Sequence, residues 1–157
     1  MSLHASAAVV GERGVLFRGA SGSGKSSLAL ALLDLARAGG RFGALVGDDR
    51  VALQVRHGRL VAQGVAATAG LAEMRGLGIV RAPALARCVI VLVADCDASP
   101  HPPARAPEAE ELQALIEGIR LPRLHLTHAI AVQDGARMVL NCLDRFRVNS
   151  GLFQDSP

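Results

Sequence analysis

Short apolar runs, separated by small and polar residues, set the pattern of the chain. Residues 5–10 are small or apolar and predict a strand. Gly11-Glu12-Arg13-Gly14 predicts a turn, and residues 15–18 a second strand running back. Residues 26–37 are rich in Ala and Leu, strong helix formers, and Gly39-Gly40 closes that predicted helix. Residues 41–47 predict a buried strand that ends at Asp48-Asp49. Two alternating segments, 50–56 and 59–63, joined by His57-Gly58, predict a hairpin. The most apolar run, residues 88–95, suits a strand buried on both faces. Residues 97–107 contain four prolines and predict a loop. Acidic residues open the segment 108–118, which predicts a helix because the helix dipole favours negative charge there. Residues 121–126 predict a short extended piece, 134–146 a second amphipathic helix, and the tail from 149 a frayed end.

Strands and helices therefore mix, with antiparallel hairpins where a doubly wound fold would alternate strand and helix regularly. The pattern predicts an α/β fold of α+β character built on a mixed sheet. A chain of 157 residues without internal repeats predicts one domain, spanning 1–148, followed by a flexible tail, 149–157. Half of the residues are apolar, and no apolar run approaches the roughly 18 residues that a membrane span needs. The first residues lack the basic start and long apolar stretch of a signal peptide, which predicts a cytoplasmic protein with no membrane partner. Cys88, Cys96 and Cys142 are not in metal spacing. A net charge of +3, four Phe and no Trp or Tyr give neither a strongly basic surface nor a base-stacking platform, which argues against nucleic acid as a partner.

One stretch carries specific chemistry. Gly19-Ala20-Ser21-Gly22-Ser23-Gly24-Lys25-Ser26 reads G-x-x-x-x-G-K-S, between a predicted strand and a predicted helix. In that setting the sequence is a phosphate-binding loop. Glycines let the backbone turn tightly and approach a ligand, and successive N–H groups line an anion site at a helix start. Lys25 is placed to reach the β- and γ-phosphates and the Ser26 hydroxyl to ligate a divalent cation, with Ser27 next in the first helical turn.

Phosphoryl transfer also needs a carboxylate. Two candidates follow apolar strands: the pair Asp48-Asp49, and Asp95 at the end of residues 89–94. Either could hold Mg²⁺, and either could be an ordinary turn or strand end, where Asp is common. Glu73-Met74-Arg75-Gly76-Leu77-Gly78-Ile79 sets a glutamate, an arginine and two glycines between apolar flanks. It could face phosphate and metal, or form a plain loop.

Taken together, these residues resemble the HPr kinase/phosphorylase family. The family carries the same phosphate loop at Gly19 to Ser26, a strand-end Asp-Asp at Asp48-Asp49 and an E-x-R-G-L-G-I signature at Glu73 to Ile79. It also has a His fifteen residues before the loop's first glycine, here His4. The match runs over roughly residues 4–125 and looks like the short form, without the separate N-terminal domain. The resemblance implies a P-loop domain of PEP-carboxykinase-like architecture. It implies a protein-serine kinase that phosphorylates the phosphocarrier protein HPr with ATP and Mg²⁺ (or Mn²⁺), reverses the reaction with phosphate to give pyrophosphate, and assembles as a homo-oligomer, a hexamer in the family. Carried over by position, Lys25 binds phosphate and Ser26 and Glu73 hold the metal. Asp49 is the proton acceptor, favoured over its neighbour Asp48. His4 lies near the transferred phosphate, and Arg123 is the match to a family arginine. The resemblance makes Asp95 a structural strand end. Two other readings of the same loop are a regulatory module that senses ATP or phosphate with little turnover, and a small-molecule kinase with residues 97–107 as its lid.

Overall fold

The computed structural model describes residues 1–149; residues 150–157, all of the predicted tail but its first residue, lie outside them. Strands β1 (Ser2–Leu3), β2 (Ala5–Val10) and β3 (Arg13–Arg18) lead to helix α1 (Lys25–Ala38). Strands β4 (Gly43–Gly47), β5 (Val51–Arg56) and β6 (Arg59–Gly64) follow, then a short 3-10 turn at Ala66–Thr68. The hairpin β7 (Leu71–Met74) and β8 (Gly78–Arg81) precedes the long strand β9 (Arg87–Asp97). Strands β10 (Gln113–Ile116) and β11 (Ile119–Thr127) and helix α2 (Val132–Asn149) complete the described chain.

The sheet is mixed, as the pattern predicts, with nine strands. Its main path runs β1-β5-β6-β9-β3-β2-β4, and the β10–β11 hairpin joins through β11. Strand β9 is the hub. It pairs antiparallel with β6 through residues 87–89, and parallel with both β3 and β11 further along. Both helices cover one face, where α1, Val15, Phe17, Leu92, Ala94 and the α2 residues Ala136, Val139 and Leu143 form one core. Leu16, Val46, Leu53, Leu60, Ile90 and Ile116 form a second core on the other face.

Alternation explains why both faces are apolar. In β2, Ala5, Ala7 and Val9 face the second core while Ala8 and Val10 face the first, so all six positions are buried. In β9, Cys88 and Ile90 face the second core, but Leu92, Ala94 and Cys96 face the first. The parity flips because the register with β3 skips Val91: Gly14 pairs with Ile90 and Val15 with Leu92, a bulge that turns the side chains over. The sheet also curls, so that the end of β6 meets β4. A Cβ on Gly64 would overlap the Val46 carbonyl, so only glycine fits there.

One predicted element is wrong. Residues 108–118 are not a helix. Residues 109–112 form successive turns, with Glu111 N–H bonding the Glu108 carbonyl at 2.9 Å, and β10 begins at Gln113. Ala114 and Ile116 are buried while Leu115 is exposed, a period of two. Glu117 and Gly118, both at positive φ, form a two-residue hairpin that brings Ile119 opposite Ile116. Acidic residues at the segment's start mimic a helix N-terminus, but pairing with β11 decides the structure. The same two-residue geometry at His57 and Gly58 joins β5 to β6, as predicted.

Candidate active site

The phosphate loop leaves β3 at Gly19 and enters α1 at Lys25. Gly19 is at φ +147°, and a Cβ on it would overlap the carbonyl oxygen of Cys96, so β9 presses directly on the loop's first residue. Gly24, left-handed at φ +91°, is the helix N-cap. No side chain caps the helix and its first turn holds no acid. The N–H groups that a helix start leaves open are thus available to an anion.

Lys25 is the central observation. Its side chain is buried, 6% exposed. Its ammonium donates to the carbonyls of Gly19 at 3.0 Å and Ala20 at 2.8 Å, and to His4 Nε2 at 3.2 Å. All three of its donors meet neutral acceptors, and no carboxylate among the described residues forms an ion pair with it. Burying an uncompensated cation is costly, and a phosphate beside it supplies the missing charge.

The carboxylates gather on one side of this lysine. Asp48, half-buried at the end of β4, accepts from Ser26 Oγ at 2.8 Å and from Ser6 Oγ at 2.5 Å. It also accepts from the Glu73 backbone N–H at 3.3 Å. Asp49 points the other way and its side chain is 80% exposed. It sits at φ +65°, in a tight turn closed by the Arg50 N–H and the Asp48 carbonyl at 2.8 Å. Asp tolerates that region better than most residues, and such strained positions cluster at functional sites. His4 Nδ1 lies 2.9 Å from Asp49 Oδ1. Because Lys25 donates to Nε2, the neutral ring carries its hydrogen on Nδ1 and donates to Asp49, linking Lys25, His4 and Asp49 in one chain. The pairing of β1 with β5 holds His4 there, since it fixes the residues just before it.

These residues line a cleft of about 510 Å³, with Ser21, Gly22, Glu73 and Arg75 opposite. Glu73 and Arg75 come from the β7–β8 hairpin, whose tip is the heptapeptide at Glu73 to Ile79. The Arg75 guanidinium reaches over the loop, 3.3 Å from where a Cβ on Gly22 would lie. Among the described residues no three His, Cys, Asp or Glu side chains form a ready-made metal cluster. The donors on offer are a hydroxyl in contact with a carboxylate, plus a second acid on the cleft wall. That set of hard oxygens suits Mg²⁺ or Mn²⁺ completed by phosphate oxygens, better than a site made by protein alone.

Of the residues singled out from sequence, the structure brings His4, the loop residues 21–22 and 24–27, Asp48, Asp49 and Glu73 into this cleft. Arg123 is not among them. On β11, its Nε donates to Asp95 Oδ2 at 2.5 Å, and Arg18 grips the same carboxylate with two bonds of 2.7 Å. Burial alone would push the Asp95 carboxyl up, but the two guanidiniums outweigh it and hold it below the ordinary carboxylate value. Ser6 was missed as a site residue, while Arg75, one of the heptapeptide charges that the sequence set against phosphate and metal, lines the cleft. Ser6 lies in a run of small residues on β2, and only its contact with Asp48 marks it as part of the site. Burial pushes the Cys88 and Cys96 thiols up to about 12, so neither is a ready nucleophile.

A glycine-rich loop at an uncapped helix start, facing a strand-end acid pair, on a mixed sheet defines the class as an α/β domain with a P-loop-type architecture. The family model described as the HPr Serine kinase C-terminal domain matches residues 1–86, more than half of the chain, and the chain belongs to that family. The HPr kinase/phosphorylase of Clostridium tetani (strain Massachusetts / E88) is 40% identical over 72 residues, 46% of this chain and 22% of that protein. The chain thus matches under a quarter of that relative's length. A solved structure, the Hpr(Ser) kinase/phosphatase from Coxiella burnetii, matches with a TM-score of 0.74 at 22% identity. The match covers 96% of this chain and 99% of that one, and it shows the shared fold. No helix of the described residues is long and apolar enough to cross a membrane.

Proposed function

We propose that the chain is a metal-dependent protein-serine kinase that moves the terminal phosphate of ATP to a serine of the phosphocarrier protein HPr. In the reverse direction, phosphate removes that group as pyrophosphate. The observation that carries the proposal is Lys25: a buried ammonium without a counter-charge, at an uncapped helix start, beside two aspartates. The names of the relatives supply HPr as the partner.

The roles follow from contacts. Loop N–H groups and Lys25 take the phosphates. Ser26 and Asp48, already in contact, together with Glu73 on the cleft wall, would hold Mg²⁺ or Mn²⁺. When bound, the cation neutralises charge on the phosphate oxygens. Asp48 is committed to three donors. Asp49 is exposed and, among the described residues, bonded only to His4, so it is the one free to take the proton of an incoming serine hydroxyl. His4 orients Asp49 and ties its position to that of Lys25. Arg75, not Arg123, is the guanidinium placed to meet charge on the transferred group. Positioning and charge stabilisation supply most of the acceleration in such transfers.

Incubating the purified chain with Mg²⁺, ATP and HPr from the same source, and reading intact masses, tests this. One phosphate on an HPr serine, removed again by inorganic phosphate with pyrophosphate released, is the expected result. ATP binding without transfer would replace the enzyme reading by that of a nucleotide sensor.

A further inference from the structure

The phosphate loop has a hollow on each side. One is the acidic cleft. The other, about 350 Å³, lies between the start of α1 and the turn that joins β11 to α2. Ser23, Gly24 and Ser27 line one wall, and Thr127, Ile130 and Gly135 line the other. Gly24 and Ser27 line both hollows, so the two adjoin across the helix start. The hollow falls within the usual size of small-molecule sites, and its walls are mostly apolar with a few polar groups, the usual make-up of such sites.

Two of its lining residues carry an unmet requirement. Among the described residues the buried hydroxyls of Ser23 and Thr127 have no hydrogen-bond partner, and the two residues are 3% and 6% exposed. A buried hydroxyl without a partner is destabilising, so a polar ligand or a water in the hollow would relieve it. The acidic cleft is lined instead by the charged side chains of Lys25, Asp48, Asp49, Glu73 and Arg75, which suit phosphate and metal better than an uncharged group.

We propose that this second hollow seats the base and sugar of a nucleoside triphosphate whose phosphates lie on the loop. The proposal rests on the phosphate-loop reading above. It orients the ligand: the nucleoside sits against α2, and the triphosphate crosses Gly24 and Ser27 toward Asp48 and Asp49. With no Trp or Tyr in the chain, the base is gripped by aliphatic side chains such as Ile130, and the hydroxyls of Ser23 and Thr127 give it polar contacts. The close approach of α2 to α1 fixes the size of the hollow. A Cβ on Gly135 would come within 2.8 Å of Leu28 Cδ2.

Calorimetric titration of the full chain, in Mg²⁺, with ATP and with inorganic tripolyphosphate tests the proposal without any mutation. The nucleoside adds contacts only if the hollow receives it, so ATP is expected to bind at least tenfold tighter than tripolyphosphate. Ala131→Trp, an exposed position at the mouth of the hollow, is expected to lower ATP affinity about tenfold and leave tripolyphosphate unchanged. Thr127→Val is expected to weaken ATP alone, by a few-fold. Equal affinity for the two ligands in the unmodified chain overturns the proposal while the phosphate loop stands. So does ATP binding that ignores Ala131→Trp. Binding of neither ligand overturns the phosphate-loop reading and this proposal with it.

Discussion

Strands β4 and β9 both carry an aspartate near their C-terminal ends, close to the phosphate loop, and the two ends are built in opposite ways. At β9, Asp95 is 18% exposed and gripped by Arg18 from the strand before the loop and Arg123 from β11. Every oxygen it offers is taken by a fixed cation. At β4, Asp48 meets only hydroxyls and one amide, and Asp49 stands in solvent against a histidine. Lys25, in the same cleft, is held by carbonyls and a histidine and not by either acid. A carboxylate saturated by guanidiniums fixes strands to one another. A carboxylate left among hydroxyls, beside an unpaired buried ammonium, has capacity left for a metal, a phosphate or a proton. Both ends look alike in sequence, an apolar run closed by Asp, and only their partners separate structure from chemistry.

Substitutions should separate the two ends. The largest effect belongs to Lys25→Ala, which removes the buried charge that draws phosphate. ATP affinity and transfer should both collapse, transfer by a factor of a hundred or more, on the order of what removing one stabilising donor costs. Calorimetry and a transfer assay on the same preparation check this. Asp49→Asn keeps a residue that accepts positive φ, so the turn survives. ATP binding should persist while the transfer rate falls about a hundredfold or more, the usual contribution of a positioned base. Asp48→Asn should instead raise the Mg²⁺ concentration needed for half-maximal rate, which a metal titration reads directly.

Asp95→Asn is the counterpart at the closed end. It leaves two guanidiniums without their charge partner and should cost about 1–3 kcal/mol of stability in a denaturant titration, with the ATP site still functional. Its pH signature follows from the lowered carboxyl. Above the ordinary carboxylate value, about pH 4, the folded and unfolded chains both hold Asp95 ionised and the clamp contributes fully. As pH falls from there toward the folded-state value, the unfolded chain takes up the proton first and the contribution drains away. The unmodified chain should therefore lose stability more steeply than Asp95→Asn as pH falls below about 4. The smallest effect belongs to Leu115→Thr. Leu115 is 65% exposed on β10, and the change should move stability by no more than about half a kcal/mol.

The open end was largely legible in sequence because its chemistry is written locally. The loop, its strand and its helix are contiguous, and Asp48-Asp49 follows a plainly apolar strand. The heptapeptide at Glu73 to Ile79 declares itself by composition, although its shape, a hairpin standing on the cleft wall, does not. The closed end was not legible. Arg18, Asp95 and Arg123 meet only because β3 and β11 both lie parallel to β9, and strand order across a mixed sheet leaves no trace in a local pattern. That is why Arg123 read as a site residue and proved to be Asp95's partner. The segment 108–118 failed for a related reason. Its acidic start satisfied a helix rule, while its period of two became decisive only with β11 beside it. Ser6 was hidden in a run of small residues, and its role depends on Asp48, 42 positions away.

The most direct test compares the two ends in one experiment. Asp49→Asn and Asp95→Asn are assayed beside the unmodified chain for transfer of phosphate from ATP to an HPr serine, at a temperature where all three are folded by circular dichroism. The account predicts that Asp95→Asn transfers phosphate at close to the unmodified rate and that Asp49→Asn, with ATP still bound, transfers almost none. Undiminished transfer by Asp49→Asn, or loss of it in a folded Asp95→Asn, would contradict the assignment of chemistry to the end of β4.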